Sequence, residues 1–363
     1  MLISRAARAL AYAGILALTA LVSAWIAEGV FRYLGDSASI DLGGLYTPFG
    51  NRSYKVAPNV DTEAKWSAGE FSVHADSLGL RCDAARKYGT KSGQPVDVIF
   101  MGDSQGFGNG VNYEDTIAGA VAIKASARGE RVVNCAVGGH SMRNQEELVS
   151  WLRKQEVKAR EAYVVLLTPV LSLYAATYTH AEVGPDGRLY GKKYKTLGRM
   201  IVWFKTHAVI YARLRDALHN SGLVPPAQDL PQVIQMYCAG APTDEARTNL
   251  VAVLTKIQAA AKEDGAKLLL AYVPLSSELD FDTLTKAADP MGIELNRDRP
   301  LKVCETVAAQ LNASLCNLRP VLAGLHDKGE RLSLRGDPHY APATSVACAD
   351  ALWPQLEQLI DKH

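Results

Sequence analysis

"MGDSQGFGNGV" (residues 101–111) holds Ser104 in a setting that admits two readings, and the choice between them decides the fold. Read as Gly102-x-Ser104-x-Gly106, it is a strained strand-to-helix turn, and the acid and histidine that would activate the serine come from separate later loops. Read as Gly102-Asp103-Ser104 directly after the apolar run "VDVIFM" (96–101), it is a serine closing the first strand of a domain. The far end of the chain favours the second reading. In "LRGDPHYAPATSVACADALWPQLEQLI" (334–360), Asp337 stands two residues before His339 and immediately ahead of the last helical pattern, so acid and base come from one loop. Neither signal suffices alone: G-D-S is common in turns, where the aspartate caps a helix, and D-P-H is equally ordinary. Their joint placement, after the first strand and before the last helix, makes them catalytic candidates.

Working outward from Ser104, short apolar runs alternate with helical patterns. The runs are 96–101, "RVVNCAV" (131–137), "AYVVLLT" (162–168), "AKLLLAYVP" (266–274) and "ASLCNLR" (313–319), with helices expected near 115–129, 142–158, 245–264, 300–311 and 343–361. Strands separated by helices require crossovers, hence a mostly parallel sheet covered on both faces. Residues 170–244 break this rhythm as an insertion after the third strand, with a helix expected near 196–219. They lie at the edge where open parallel sheets build active sites, as a substrate wall or lid, or as a plain excursion. Residues 35–94 are rich in Gly, Ser, Asp and Pro without sustained periodicity, and read as an irregular juxtamembrane segment packing on the domain of residues 95–363.

Residues 1–34 read as a membrane anchor. No charge interrupts "ALAYAGILALTALVSAWIA" (9–27), long enough as a helix nearly to cross a hydrocarbon core of about 30 Å. Arg5 and Arg8 precede it and no cationic excess follows, so the start belongs in the cytoplasm and the rest of the chain outside the inner membrane, in the periplasm. Trp25 sits where an interfacial aromatic belongs. The alternative is a secreted chain cleaved near Ala24, because Val22-Ser23-Ala24 has the small residues of a processing site.

Composition narrows the function. Among 363 residues, 39 basic against 38 acidic side chains give a formal charge of +1, and no block of like charge marks a nucleic-acid surface. The eight histidines and six cysteines show no C-x-x-C or H-E-x-x-H spacing, so neither metal nor cofactor is expected. Six cysteines suit an oxidising compartment, and Cys304, Cys316 and Cys348 lie close enough in sequence for a bridge among them.

A serine that ends the first strand and a D-x-H element before the final helix resemble the SGNH (GDSL) hydrolases. The resemblance extends to "VVNCAVGGHSMRNQ" (132–145), where Asn134 closes the second strand and Gly139 stands at the family's second-block glycine. The stretches "IFMGDSQGFGNGVNYEDT" (99–116) and "AEGVFRYLG" (27–35) resemble membrane-anchored members. The resemblance implies a flavodoxin-like three-layer α/β/α fold with a mostly parallel five-stranded sheet. Chemically, Ser104 is the candidate nucleophile, His339 its base, and Asp337 the acid that fixes the imidazole tautomer. Backbone N–H groups at Ser104 and Gly139 are candidate oxyanion donors. Asp103 reads as a turn-holding residue and His140 as a surface or capping histidine. One family element is missing: the third block, usually G-x-N-D with an oxyanion-binding asparagine, reads "LLTPVLSLY" (166–174), leaving Thr168 or Ser172 to replace it. That replacement, the D-x-H spacing and the anchor together resemble the alginate acetyltransferase-like branch, which moves acetyl groups onto exported polysaccharides. The implied function is a periplasm-facing serine esterase or O-acyltransferase on acyl, chiefly acetyl, esters of cell-envelope or exported carbohydrate, working beside envelope polysaccharide machinery. A non-catalytic SGNH-like binding or scaffold protein is the alternative, and an α/β-hydrolase a minor third.

Overall fold

A computed structural model describes residues 5–33, 42–50, 53–66, 69–169, 181–184, 187–191, 236–238, 242–289, 292–335 and 337–361. One compact unit comprises residues 42–193 and 228–363; the described part of the other is helix α1 (Arg5–Tyr33). Within α1, Tyr12–Val30 is long and apolar enough to cross a membrane, and none of its residues is buried.

The larger unit opens with strands β1 (Tyr46–Phe49) and β2 (Ser53–Val56), an antiparallel pair. Then come β3 (Asp61–Trp66), β4 (Gly69–Ala75) and the short β5 (Arg81–Cys82). From β6 (Val96–Met101) the alternation begins: α2 (Ser104–Phe107), α3 (Ile117–Ser126), β7 (Val132–Asn134), α4 (Met142–Lys154) and β8 (Ala159–Leu167). A small antiparallel pair, β9 (Ala181–Val183) and β10 (Leu189–Gly191), follows. The chain continues as α5 (Pro242–Glu263), β11 (Lys267–Tyr272), α6 (Ser276–Leu279), α7 (Phe281–Ala288), α8 (Arg299–Leu311), β12 (Ser314–Asn317), α9 (Arg319–Asp327) and α10 (Pro342–Ile360).

The main sheet runs β12-β11-β8-β6-β7-β5-β4-β3. Its first five strands are parallel, and in chain order they stand 2-1-3-4-5 from the β7 side, the doubly wound arrangement expected. Strand alternation feeds two cores. Ile99 and Met101, Tyr163 and Val165, and Leu268 and Leu270 point to one face, where Leu148 and Leu152 of α4, Leu254 and Ile257 of α5 and Val303 and Val307 of α8 cover them. Val98 and Phe100, Val164 and Leu166, and Leu269 and Ala271 point to the other, under Ile117 and Val121 of α3, Leu322 of α9 and Leu352 and Leu356 of α10. Being buried on both faces, the central strands read as continuous apolar runs, which made them legible. The order reverses between β6 and β8, and Ser104 lies just beyond the C-terminal end of β6, where open α/β sheets place their ligands.

Two expectations need correction. Residues 35–94 are not irregular where described: β3, β4 and β5 extend the sheet antiparallel from β7, so it has eight strands rather than five. Phe71, Val73 and Ala75 of β4 alternate into the core, but the polar strand β3 at the outer edge carries little periodic signal. The cysteines are all free thiols. Cys304 lies in one core while Cys316 and Cys348 lie in the other, so the sheet separates Cys304 from both. The helix expected near 196–219 lies outside the described residues.

Candidate active site

The C-terminal end of β6 delivers the nucleophile candidate. Asp103 is the N-cap of α2, its Oδ1 accepting from the Gln105 backbone N–H at 2.9 Å, and Ser104 is the first helical residue. Ser104 is half-buried while Gly102, Asp103, Gln105 and Gly106 around it are buried, so the serine is the point at which this turn meets solvent. A helix N-terminus also directs backbone N–H groups towards developing negative charge.

The loop before α10 delivers the candidate base. It is a hairpin, with Ser333 bridging Tyr340, Leu334 N–H donating to His339 O and Ala341 N–H to Leu332 O. Asp337 Oδ1 accepts from both the backbone N–H of His339, at 2.9 Å, and its Nδ1, at 2.5 Å. That leaves Nε2 as the proton-accepting end of the ring. Burial works to raise the Asp337 pKa, but hydrogen bonds and charge from His339, with a bond from Trp66, outweigh it and hold the carboxyl below its ordinary value.

Gln105 joins the two halves. Its Nε2 donates to Pro338 O and its Oε1 accepts from Tyr340 N–H, each at 3.1 Å, so the residue after Ser104 grips the backbone on both sides of His339. The two segments lie more than 230 positions apart, and nothing in the sequence marks Gln105 as their fastening. His339 is close enough to influence Asp103: burial raises the Asp103 pKa, and the imidazole's charge is among the forces that pull it back.

The second-block residues serve the same turn. Asn134 Nδ2 donates to Gly106 O at 3.2 Å and its Oδ1 accepts from Ala136 N–H at 2.9 Å, tying the β7 loop to α2. Gly139 has φ +79°, and a Cβ there would come 2.6 Å from Tyr54 Oη, so glycine is required by both conformation and space. Asn109 is buried with its Oδ1 unpartnered, and a Cβ on neighbouring Gly138 would come within 3.5 Å of both atoms of its amide.

His140 is neither a surface nor a capping residue. It is fully buried, Nε2–H donating to Tyr54 O at 2.6 Å while Nδ1 accepts from Gln145 Nε2 at 3.0 Å, and burial lowers its pKa to about 4. Thr168 is buried and its hydroxyl donates to Asp103 Oδ2, so its single proton is committed to the turn rather than to an oxyanion. Ser172 lies outside the described residues. Among those residues no group of three or more His, Cys, Asp or Glu stands together as metal ligands.

Sequence reasoning also missed Arg81 on β5. Its buried guanidinium donates to the carbonyls of Phe107, Gly108, Val111 and Ser72, capping the chain where it leaves α2, and burial lowers its pKa to about 10.

No family model matches the chain, and no curated protein matches it. Among solved structures it is similar to TesA (17% identity, TM-score 0.39, covering 73% of this chain and 99% of that one). It is also similar to the acetylxylan esterase Axe2 from Geobacillus stearothermophilus (13% identity, TM-score 0.40, 74% and 96% covered). A third similar structure is the acetyl xylan esterase AlAXEase (15% identity, TM-score 0.38, 72% and 99% covered).

Proposed function

We propose that this chain is an SGNH-type serine esterase or O-acyltransferase, acting through an acyl-serine on acetyl or related esters of envelope or exported carbohydrate. The observation that carries the reading is the Gln105 grip, which fastens the paired Asp337 and His339 to the turn bearing Ser104. In the reaction, Ser104 Oγ attacks the ester carbonyl as His339 Nε2 takes its proton. The C–O bond of the tetrahedral intermediate then breaks, and the departing alcohol receives that proton. Water or a sugar hydroxyl, deprotonated by the same nitrogen, attacks the acyl-serine; the acyl C–Oγ bond then breaks, Ser104 Oγ takes the proton back from Nε2, and acid or a new ester leaves. Backbone N–H groups at Ser104 and Gly139 are the oxyanion donors in this scheme. With Thr168 committed to Asp103, we assign the role of the missing third-block asparagine to Asn109, whose side-chain amide lies against Gly138, beside the Gly139 donor.

That same commitment of Thr168 supports the alternative, a binding or scaffold protein without turnover. Fluorophosphonate labelling and p-nitrophenyl acetate cleavage separate the two. We expect Ser104 to be labelled, Ser104→Ala to lose both signals with an unchanged melting temperature, and Asn109→Ala to lose about 10²–10³ in turnover while still being labelled. No labelling and no ester cleavage by the wild-type chain would leave the scaffold reading standing, and wild-type turnover in Ser104→Ala would remove Ser104 as the nucleophile. A sugar acceptor that raises ester-cleavage turnover and emerges acetylated marks transfer; free acetate alone marks hydrolysis.

A further inference from the structure

Trp66 is the last residue of β3 and comes from the edge of the sheet remote in sequence from both serine and histidine. Its indole Nε1–H donates to Asp337 Oδ2 at 2.8 Å, the carboxylate oxygen that His339 does not use. Its ring meets the His339 imidazole edge-on, centroids 5.3 Å apart and planes at 84°. On its other flank it lies against the loop that follows Ser104: a Cβ on Gly110 would come 3.2 Å from Trp66 Cδ1 and 2.5 Å from Leu334 Cδ1. Trp66 is thus wedged between the loop after the nucleophile and the hairpin carrying acid and base. The strands behind it are anchored to that loop as well, through Ser72 N–H to Asn112 Oδ1 at 3.0 Å and Arg81 to Ser72 O.

We propose that Trp66 is a positioning residue for the Asp337–His339 pair, so that the β3–β4 hairpin is a working part of the active site. The inference rests on the reading of Ser104 as nucleophile. A carboxylate held only by its histidine is free to rotate about its Cβ–Cγ bond. A donor on the second oxygen fixes that rotation and keeps Oδ1 on Nδ1. Indole suits the task because it donates one proton, accepts none and stays neutral, so it neither competes with the imidazole for a proton nor neutralises the carboxylate as Lys or Arg would. The edge-on ring also blocks His339 from swinging towards β3.

Two measurements on the full-length chain in detergent test this. In protein labelled with ¹⁵N-indole tryptophan, the Trp66 Nε1–H resonance, identified by its loss in Trp66→Phe, is expected to move upfield in Asp337→Ala and, less, in Asp337→Asn. In p-nitrophenyl acetate cleavage, Trp66→Phe keeps a ring against His339 but removes the donor. We expect a fall in kcat of about 10-fold or more with KM unchanged, the scale seen when an outer-shell hydrogen-bond partner of a metal-bound histidine is removed. The same substitution in an Asp337→Ala background should cost nothing further. An unmoved indole resonance, or equal losses in both backgrounds, overturns the proposal. Should the wild-type chain cleave no ester, the catalytic reading fails and the resonance alone decides whether Trp66 holds Asp337.

Discussion

Two histidines within reach of the same pattern separate by their surroundings. His339 is held by a carboxylate at the mouth of the turn, whereas His140 is enclosed, neutral and bonded at both ring nitrogens to Tyr54 O and Gln145. Its folded-state pKa of about 4 lies below the ordinary value of 6.5. Between those two values the unfolded chain binds a proton that the folded chain refuses, so His140 costs stability progressively as pH falls from 6.5 to 4. At the lower limit the cost is on the order of 3 kcal/mol. Asp76, Asp103 and Glu278 have raised pKa values from burial and act in the opposite direction, so the total curve mixes signs. The difference between wild type and His140→Gln isolates the histidine. In urea titrations the variant is expected to be less stable at pH 7, with the gap closing as pH falls towards 4. A gap that stays constant would show that His140 is not buried neutral.

At the scale of elements, the strands that join the sheet antiparallel hold the turn bearing Ser104 in place. Arg81 of β5 gives its guanidinium protons to three carbonyls between Phe107 and Val111, of which Gly108 O also accepts from Val111 N–H. Lysine cannot reproduce a planar fork of donors, so Arg81→Lys is expected to cost about 2–3 kcal/mol in urea unfolding, with esterase turnover falling more than the unfolded fraction explains. Full activity and an unchanged midpoint would remove β5 from the account. The contrast between these strands and the parallel ones explains what was legible in the sequence. β6, β8 and β11 are apolar on both faces and announce themselves as runs, so Ser104 is readable as a candidate from its place at the end of β6, and Asp337 and His339 from theirs ahead of the last helix. β3 alternates exposed Asp61 and Glu63 with half-buried Thr62 and buried Ala64, and its register depends on β4 rather than on its own composition. Gln105, Trp66 and Arg81 act through contacts with distant or backbone atoms, which leave no spacing to read. His140 was misplaced because a histidine beside a glycine turn reads as surface until Tyr54, 86 positions away, is known to cover it.

For the whole molecule, the outstanding physical fact is a helix without a core. Leu16 and Trp25 are 70% and 78% exposed, and a span of 19 residues at 1.5 Å each is about 28 Å, close to the thickness of a hydrocarbon core. Exposing such a surface to water is unfavourable at roughly 25 cal/mol per Å², so a bilayer or a processing peptidase is its expected destination. Arg5 and Arg8 before the span, against Glu28, Arg32 and Asp36 around its end, favour a cytoplasmic start and an exported larger unit. The cysteines are compatible with export. Burial raises the pKa of Cys82, Cys135, Cys304, Cys316 and Cys348, which keeps these thiols protonated and poorly reactive in an oxidising compartment. Alkaline phosphatase fused after residue 40 is therefore expected to be active, and a reporter that matures only in the cytoplasm to be dark at the same position. The converse pattern would place Ser104 in the cytoplasm and remove exported carbohydrate from the candidate substrates. Carbonate extraction and the intact mass of the chain then divide the two exported forms. A full-length chain that stays with the membrane pellet is anchored, and the proposed ester chemistry would then be confined to the membrane surface. A chain beginning near Trp25 in the soluble fraction has been cleaved, and its substrate must then come to it by diffusion.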